Sequence, residues 1–350
     1  MSVQTATAPR ETPTPTPSAG PLARVTGWMR THTTSLPTWA ALVIFAGMVI
    51  YAEVVYGRIL QPSTTSNLLI NNSHLIIIAV ALTFVIITGG IDLSVGAVIA
   101  FSSVAGVMLA NAGWNAYLVM VLMIAFGAVF GLISGWLIQY LNVQPFIATL
   151  AMMFLARGLA STLSTVPERL GDDSAIRALG TQIKIYDGPK VNDFVITPGV
   201  IIALLVVLGA FFVLHRTRTG RTIYAIGGKE QSAQLMGLPV HRSKMLVYVI
   251  SGSLSGLAAV VYTARLGIAQ NITGVGWELD AIAAAVIGGT LLTGGAGFVL
   301  GSVIGALVLG LMNVIISRDG SIPPEMTTVI TGGVLLAFVL LQRAVVRRRE

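Results

Sequence analysis

Long apolar runs separated by short polar stretches dominate this chain from about residue 38 onward. Runs such as Ala40–Ile50, Leu75–Thr88 and Val200–Leu214 contain no charged residue. A helix of about 20 apolar residues crosses the roughly 30 Å hydrocarbon core of a bilayer. The pattern therefore predicts an all-α, polytopic membrane protein with about ten transmembrane helices. The predicted spans are residues 38–56, 68–88, 92–110, 116–140, 145–165, 198–215, 245–265, 279–293, 296–316 and 325–342.

The composition agrees with this prediction. Charged residues make up only 10% of the chain, against about 25% in soluble domains, which is too few to cover a globular surface. The absence of cysteine excludes disulfides and cysteine-ligated metals. Glycines recur every fourth residue at Gly127, Gly131 and Gly135, a spacing that favours close helix packing in lipid, with hinges as the alternative.

The net charge of +7 is concentrated in a few places. Residues 216–244 hold six Lys or Arg against one acid, and the C-terminus holds Arg343 and three further arginines. The loop 166–197 is mixed, with four basic and five acidic residues. This distribution follows the positive-inside rule rather than indicating nucleic-acid binding. It predicts that both termini and the loop 216–244 are cytoplasmic and that the loop 166–197 is periplasmic.

The chain ends have little to bury. Residues 1–37 are rich in Pro and Thr and are predicted to form a disordered cytoplasmic tail. Residues 344–350 are predicted to be a basic cytoplasmic tail, which leaves 38–343 as the transmembrane domain.

An internal repeat has an offset of 199 residues, because Gly89–Gly106 resembles Gly288–Gly305. Eight positions coincide, among them Gly89 with Gly288, Gly96 with Gly295 and Ser103 with Ser302. Transporters are often built from repeated halves that move against each other. Asp92 aligns with Leu291, so the repeated architecture does not require the acid.

Motifs for chemistry are missing from the sequence. There is no GxxxxGK[ST] phosphate loop and no HExxH pair among the four histidines. The sequence therefore predicts no enzyme activity, no metal site and no cofactor, and it indicates that a partner supplies any energy that is used.

The loop TRTGRTIYAIGGKEQSAQLMGLPVHRSK, residues 217–244, is the most informative segment. Gly227 and Gly228 are expected to break the chain before a short helix over Lys229–Met236, which Gly237 and Pro239 then end. A helix this short is marginal alone in water, so it should dock on something. The alternatives are a partner protein and the membrane surface.

Four stretches resemble one family over nearly all of residues 40–342. They are ITGGIDLSVGAVIAF (87–101), FIATLAMMFLARG (146–158), HRTRTGRTIYAIGGKEQSAQLMGL (215–238) and GVGWELDAIAAAVIGGTLLTGGAG (274–297). The chain resembles the ribose/galactofuranose branch of ABC sugar importer permeases, of the branched-chain-type permease family, and its likeness to galactofuranose permeases is greatest.

The resemblance implies a permease subunit that imports a monosaccharide by alternating access, driven by a separate ABC ATPase. It also implies a periplasmic sugar-binding protein, a second permease subunit in a homodimer or heterodimer, and the lipid of a bacterial inner membrane. The coupling helix that contacts the ATPase would involve seven residues. These are Gly227, Gly228, Lys229, Glu230, Ala233, Met236 and Gly237.

Polar residues in apolar surroundings are the translocation and gating candidates. Asp92, next to Ser94, would cap the following helix or act in gating. Arg157, about 12 residues into its span, would pair with Glu278 or Asp280, or would snorkel to the outer surface. Sugar-binding chemistry adds further candidates. These are Asn71, Asn72, Gln144, Asn271 and Trp277.

Two other functions stay open from the sequence. An ion-gradient-driven transporter of a small polar solute would need an essential intramembrane carboxylate, for which Asp92 is the first candidate. A non-transporting membrane scaffold would leave the basic loop and the repeat unexplained.

Overall fold

The computed structural model describes residues 36–172, 174–188, 192–320, 323 and 326–347. Within these ranges it contains twelve α-helices, one 3₁₀ turn and four short strands. The helices are α1 Leu36–Tyr56, α2 Pro62–Ile87, α3 Val95–Asn111, α4 Ala116–Tyr140, α5 Pro145–Leu163, α6 Pro198–Arg216, α7 Arg218–Gly228, α8 Glu230–Leu235, α9 Val240–Leu266, α10 Trp277–Ile287, α11 Val299–Asp319 and α12 Met326–Arg347. The strands are β1 Glu168–Arg169, β2 Ile183–Tyr186, β3 Phe194–Ile196 and β4 Ile268–Ala269, and the 3₁₀ turn is Arg177–Gly180.

The helical, polytopic fold predicted from the sequence is confirmed. Seven of the described helices are long and apolar enough to cross a membrane: α1, α2, α4, α5, α6, α9 and α11. Helix α3 and the stretch Met326–Leu340 of α12 are apolar but shorter. Helix α10 has 11 residues, or about 17 Å at 1.5 Å per residue, which is too short to cross alone. The count of ten transmembrane helices therefore stays a prediction.

Helix α2 is the centre of the bundle and is buried along most of its length. It packs against α9, α11, α10 and α6. Helices α4 and α9 approach so closely that a Cβ on Gly127 would meet the backbone of Gly252, and one on Gly256 would meet the backbone of Met123. The glycine spacing thus serves close packing, as small residues do where lipid gives helices no hydrophobic reason to associate.

Two helix breaks coincide with the two copies of the sequence repeat. The first break, Thr88–Ser94, separates α2 from α3, and the second break, Gly288–Phe298, separates α10 from α11. The predicted spans 92–110 and 279–293 included parts of these breaks. The spans were therefore misplaced there, because α3 begins at Val95 rather than at residue 92 and α10 ends at Ile287 rather than at residue 293, with glycine-rich non-helical chain in the breaks.

The bundle has two chemically different ends. The "basic end" carries α7, α8 and the turn that leads into α9. The "hairpin end" carries the antiparallel pair β2–β3 and the antiparallel pair β1–β4. The sequence predicted neither helix α7 nor these strands. Of the predicted tails, residues 1–35 and 348–350 lie outside the described ranges, and residues 344–347 continue α12.

Candidate coupling surface and polar cavity

Helix α7 forms in a basic segment because one of its faces is apolar. Its start is capped by Thr217, whose Oγ1 accepts a hydrogen bond from the Gly220 N–H at 3.2 Å. Thr222, Ile223 and Ile226 are buried, whereas Arg221 and Gly228 are exposed. The helix ends at Gly228, as the glycine pair predicted. Its charged face is therefore available at the basic end.

Helix α8 and the turn after it present an apolar surface to the outside. The side chain of Leu235 is 90% exposed and that of Met236 is 66% exposed. Ala233 is fully buried and packs with Ile226 and Val240 in a small core. The structure therefore separates two of the predicted coupling residues, because Ala233 is buried and anchors α8 to the protein whereas Met236 is exposed.

The charged residues of this segment also divide into two roles. Glu230 forms an ion pair with Lys244 at 3.0 Å and so ties the start of α8 to α9. Lys229 is exposed at the junction of α7 and α8. Gly237 adopts a left-handed φ of +73°, which lets the chain turn sharply after Met236.

Gly227 lies where both helix breaks meet the basic end. A Cβ at this position would collide with the Ile87 carbonyl oxygen and the Gly295 nitrogen. These two backbone groups are themselves joined, since the Gly295 N–H donates to the Ile87 oxygen at 2.9 Å. We call these three residues, Ile87, Gly227 and Gly295, the glycine junction. It brings α7 into direct backbone contact with the end of α2, which leads into the first break, and with the second break itself.

Tyr224 provides a second link from α7 to the second break. Its hydroxyl donates a hydrogen bond of 2.7 Å to the Gly297 carbonyl oxygen. Burial raises the pKa of this phenol to about 12, so it keeps its proton and remains a donor at physiological pH.

Asp92 lies in the first break and is almost completely buried, with 1% exposure. Its Oδ1 accepts hydrogen bonds from the backbone N–H of Ser94 at 2.9 Å and from Ser94 Oγ at 2.6 Å. Its Oδ2 accepts a hydrogen bond from Ser251 Oγ on α9 at 2.7 Å. The carboxylate therefore fixes Ser94, the residue immediately before α3, and a capping role for Asp92 stays a prediction. A gating role for Asp92 and Ser94 remains a prediction.

Arg157 does not form the predicted ion pair. In the described residues no carboxylate lies within ion-pair distance of it. Its Nη1 instead donates hydrogen bonds of 2.6 Å to the carbonyl oxygens of Asn271 and Thr273. Residues 270–276 are not helical, so their carbonyl oxygens have no partners within a helix and can accept hydrogen bonds from the guanidinium. Asn271 itself bonds Ser161 through its side-chain nitrogen at 3.1 Å.

Glu278 lies close to the start of α3. A Cβ on Gly96 would come within 2.6 Å of its Oε2 and would collide with the Gly274 carbonyl oxygen. This Oε2 is buried and makes no hydrogen bond with the described residues. Glu278 and Arg157 therefore lie on either side of the same non-helical segment.

A cavity of about 450 Å³ lies between α2, α10 and α11. Four of the sequence candidates line it: Asn71, Asn72, Trp277 and Asp280. Sequence reasoning missed the contribution of α11, which adds Asn313, Ser317 and Arg318. The signal was present, because these polar residues recur with helical spacing in an otherwise apolar span.

The structure therefore distributes the translocation and gating candidates over three separate places. Asn72 and Asp280 share the cavity, Asp92 and Ser94 form the start of α3, and Arg157 and Glu278 flank the segment 270–276. Gln144 is exposed at the start of α5 and lines none of these places.

The chain that forms this bundle matches a known protein family. The family described as "Branched-chain amino acid transport system / permease component" matches residues 64–339 and so includes both helix breaks and the basic end. The chain is a member of this permease family. Members are transport components, and the described helices make this permease a membrane protein.

Several curated permeases are similar over most of this permease. The fructose import permease protein FruG of Bifidobacterium longum (strain NCC 2705) is 53% identical over 311 residues, 89% of this chain and 91% of FruG. The inner membrane ABC transporter permease protein YjfF of Escherichia coli (strain K12) is 38% identical, over 88% of this chain and 92% of YjfF. The ribose import permease protein RbsC of the same strain is 41% identical, over 71% and 75%. No solved structure shows a significant match to the chain.

Proposed function

We propose that this permease is the membrane-spanning subunit of an ABC importer that moves a monosaccharide into the bacterial cytoplasm. The observation that carries the proposal is the glycine junction, where a short amphipathic element contacts the end of α2, just before the first break, and the second break through backbone atoms. An ATPase that moves α7 and α8 would therefore act on both copies of the repeat at once. Such coupling requires an element that two sites both bias, and the junction supplies it.

The docking surface for the ATPase is the exposed pair Leu235 and Met236 with the hollow beside them. This hollow of about 420 Å³ is lined by Gln234, Leu238, Pro239, Val240, His241 and Arg242. Exposed large apolar side chains rimmed by polar residues are typical of protein interfaces. Lys229 is expected at the rim of the contact, where a charge affects association rate more than affinity.

The orientation follows from the positive-inside rule. The basic end, with Arg218, Arg221 and Arg242, faces the cytoplasm and the ATPase. The hairpin end faces the periplasm, where a sugar-binding protein docks, and both chain termini are cytoplasmic. A second permease subunit, identical or related, completes the membrane domain in the inner membrane.

The substrate is a monosaccharide, and D-fructose is the first to test. The relative with 53% identity is named as a fructose permease, others are named for ribose and D-allose, and the sequence resemblance suggested galactofuranose. The cavity lined by amides and Trp277 supports a neutral, hydroxyl-rich solute.

The test is purification of the tagged permease from native membranes with its partners. In the double variant Leu235→Asp and Met236→Asp we expect the ATPase subunit to be lost, because two carboxylates would replace the apolar contact. A matched control changes two exposed residues of the hairpin end, Ile185→Asp and Tyr186→Asp, which are 60% and 56% exposed. This control should keep the ATPase and should lose stimulation by the binding protein.

Two results would overturn the proposal. One is a wild-type permease that carries no ATPase in mild detergent although its bundle is intact. The other is equal retention of the ATPase by both double variants, which would show that α8 is not the docking element.

A further inference from the structure

The cavity between α2, α10 and α11 holds an unusual concentration of hydrogen-bonding groups for a membrane bundle. Asn71 and Asn72 come from α2, Asp280 comes from α10, and Asn313 and Ser317 come from α11. Polar residues facing a membrane interior are expensive and mark the paths of polar substrates. The cavity volume of about 450 Å³ lies within the range of small-molecule sites, about 300–1,000 Å³.

Most of these groups have their hydrogen-bonding capacity free. The side chains of Asn71, Asn313, Ser317 and Asp280 make no hydrogen bond with other described residues. His74 Nδ1 is buried at the same cavity without a hydrogen-bond partner. Asn71, Asn313 and Ser317 are exposed and Asp280 is partly buried, so these groups are open to a polar solute that enters the cavity. The buried His74 Nδ1 calls for a polar partner there, because buried polar groups are nearly always satisfied by protein, water or ligand.

Other residues are fixed and shape the site. The Asn72 amide nitrogen donates to the Leu68 carbonyl oxygen at 2.8 Å. Gly310 leaves the space for that amide, since a Cβ there would lie 2.6 Å from Asn72 Oδ1. Arg318 is held at the rim by hydrogen bonds to the Gly57 carbonyl oxygen at 2.6 Å and to Thr64 Oγ1 at 3.1 Å.

An aromatic wall completes the cavity. The rings of His74 and Trp277 lie 4.4 Å apart between centroids, and Tyr262 packs on both from behind, at 5.1 Å and 4.8 Å. An indole held by two neighbours gives a rigid apolar surface. The C–H face of a sugar ring packs on such a surface while its hydroxyls face amides and carboxylates.

We propose that this cavity is a sugar-binding station within the permease, where Asn71, Asn313, Ser317 and Asp280 bind the hydroxyls of a monosaccharide and Trp277 packs on its ring. The station rests on the proposed function and adds to it a site for the transported sugar in the membrane subunit itself. Helices α2 and α10 both line the cavity with their first halves and end at the two breaks. Movement at the glycine junction would therefore change the cavity directly.

The test uses the absence of cysteine in the chain, which makes any introduced cysteine a single labelling site. Val314→Cys and, on the facing helix, Leu68→Cys, two lining positions that bind no hydroxyl in this proposal, are introduced separately into the assembled importer in nanodiscs. The labelling rate with N-ethylmaleimide is measured with and without D-fructose, D-ribose and L-leucine. If about three-quarters of the cavities are filled, labelling of both cysteines slows about fourfold with a transported sugar.

Two controls make the result specific. Thr181→Cys, an exposed hydroxyl position of the hairpin end outside the cavity, should label at the same rate with every solute. Adding Asn313→Ala or Asp280→Asn to the Val314→Cys protein should restore the unprotected rate.

The outcomes separate this inference from the function on which it rests. If the wild-type importer takes up a sugar but neither cavity cysteine is protected by it, the sugar station is overturned and the importer stands. Protection by L-leucine instead of the sugars overturns the assignment of the ligand class. If the wild-type importer takes up neither sugar, the proposed function and the station fall together.

Discussion

The two helix breaks lie in similar sequences but have different structures. Helix α3 begins at Val95 after the first break, whereas α11 begins at Val299, which aligns with Ala100 of the first copy. The second helix therefore starts five residues later in the repeat. The second break is correspondingly longer, and it is the one that contacts α7 through Tyr224 as well as Gly227.

Asp92 and two glycines account for this difference. The Asp92 carboxylate binds the Ser94 N–H and so fixes the first turn of α3. Leu291 occupies the aligned position and has no side-chain acceptor. Gly294 and Gly295 then take left-handed φ values of +85° and +77°, which no helix tolerates. The first copy thus contains the start of a helix soon after its glycines, whereas the second copy forms a longer loop that contacts α7 at the basic end.

The largest effect is expected at the point where the two breaks meet. Gly227→Val should destabilise the folded permease by about 3 kcal/mol, because its Cβ would collide with backbone atoms at the end of α2 and in the second break. Unfolding of the purified permease in mixed detergent micelles, followed by circular dichroism, measures this change.

The neighbouring Gly228 is a matched control. A Cβ at Gly228 would have no atom within 4 Å, so Gly228→Val should change stability by no more than about 0.5 kcal/mol. Equal effects of the two substitutions would show that the glycine junction does not form as described.

A smaller effect is expected from making the first break resemble the second. Asp92→Leu places the aligned residue of the second copy in the first, and it leaves Ser94 and Ser251 without their acceptor. We expect a loss of about 2 kcal/mol in the free energy of unfolding. Asp92→Asn retains one acceptor oxygen and should lose less. Hydrogen exchange at Ser94 to Ala97 should rise in the leucine variant, and unchanged exchange there would contradict the role of Asp92.

A third comparison uses the aligned serines Ser103 and Ser302. Ser302 Oγ forms a 2.6 Å hydrogen bond with Thr83 Oγ1, which joins the helix before the first break to the helix after the second. Ser103 Oγ is buried without a partner. Ser302→Ala should therefore lose about 0.6 kcal/mol, the average for such bonds in membranes. Ser103→Ala should lose less than that in the same unfolding assay, and the reverse order would refute the comparison.

Much of the bundle follows from the sequence, because long apolar runs have few alternatives in a bilayer. The short gaps between predicted spans near Gly89 and Gly294 fall within the two breaks, although the spans extended into them, and basic charge singled out the loop 217–244. The sequence could not give helix α7, since Gly220, Gly227 and Gly228 argue against a helix and only packing of Ile223 and Ile226 outweighs them.

The contacts of Arg157 were also beyond the sequence. Ion pairing and snorkelling were the alternatives for this arginine, and neither considered the carbonyls of residues 270–276, which the predicted spans left outside any helix. Backbone groups of an irregular segment are invisible to a search for charges, although they need partners just as strongly. Part of the cavity lining was predicted for the opposite reason. The polar and aromatic side chains of residues such as Asn72 and Trp277 can be recognised directly in the sequence.

The smallest effect is expected far from either break, in the hairpin β2–β3. A hydrogen bond from Lys184, 2.8 Å away, and one from the Gly188 N–H lower the pKa of the Asp193 carboxyl below its ordinary value of 3.8. This stabilisation is present above pH 4 and is lost as the pH falls through the lowered pKa. Amide protection in the hairpin should therefore fall in acid, and Asp193→Asn should remove that pH dependence. Pulsed hydrogen exchange measures both, and an unchanged acid response in the variant would refute the assignment.

The hydrogen bond between Asp92 and Ser251 also has a consequence for biosynthesis. The two residues are separated by 159 positions, which a ribosome needs on the order of 10–30 s to translate at about 5–20 residues per second. During that interval the nascent first half holds a carboxylate whose final partner does not yet exist. We expect α3 to wait beside the insertion machinery, or at the membrane surface, until α9 has entered. The permease would then complete its centre late, with the second half of the chain closing over the first.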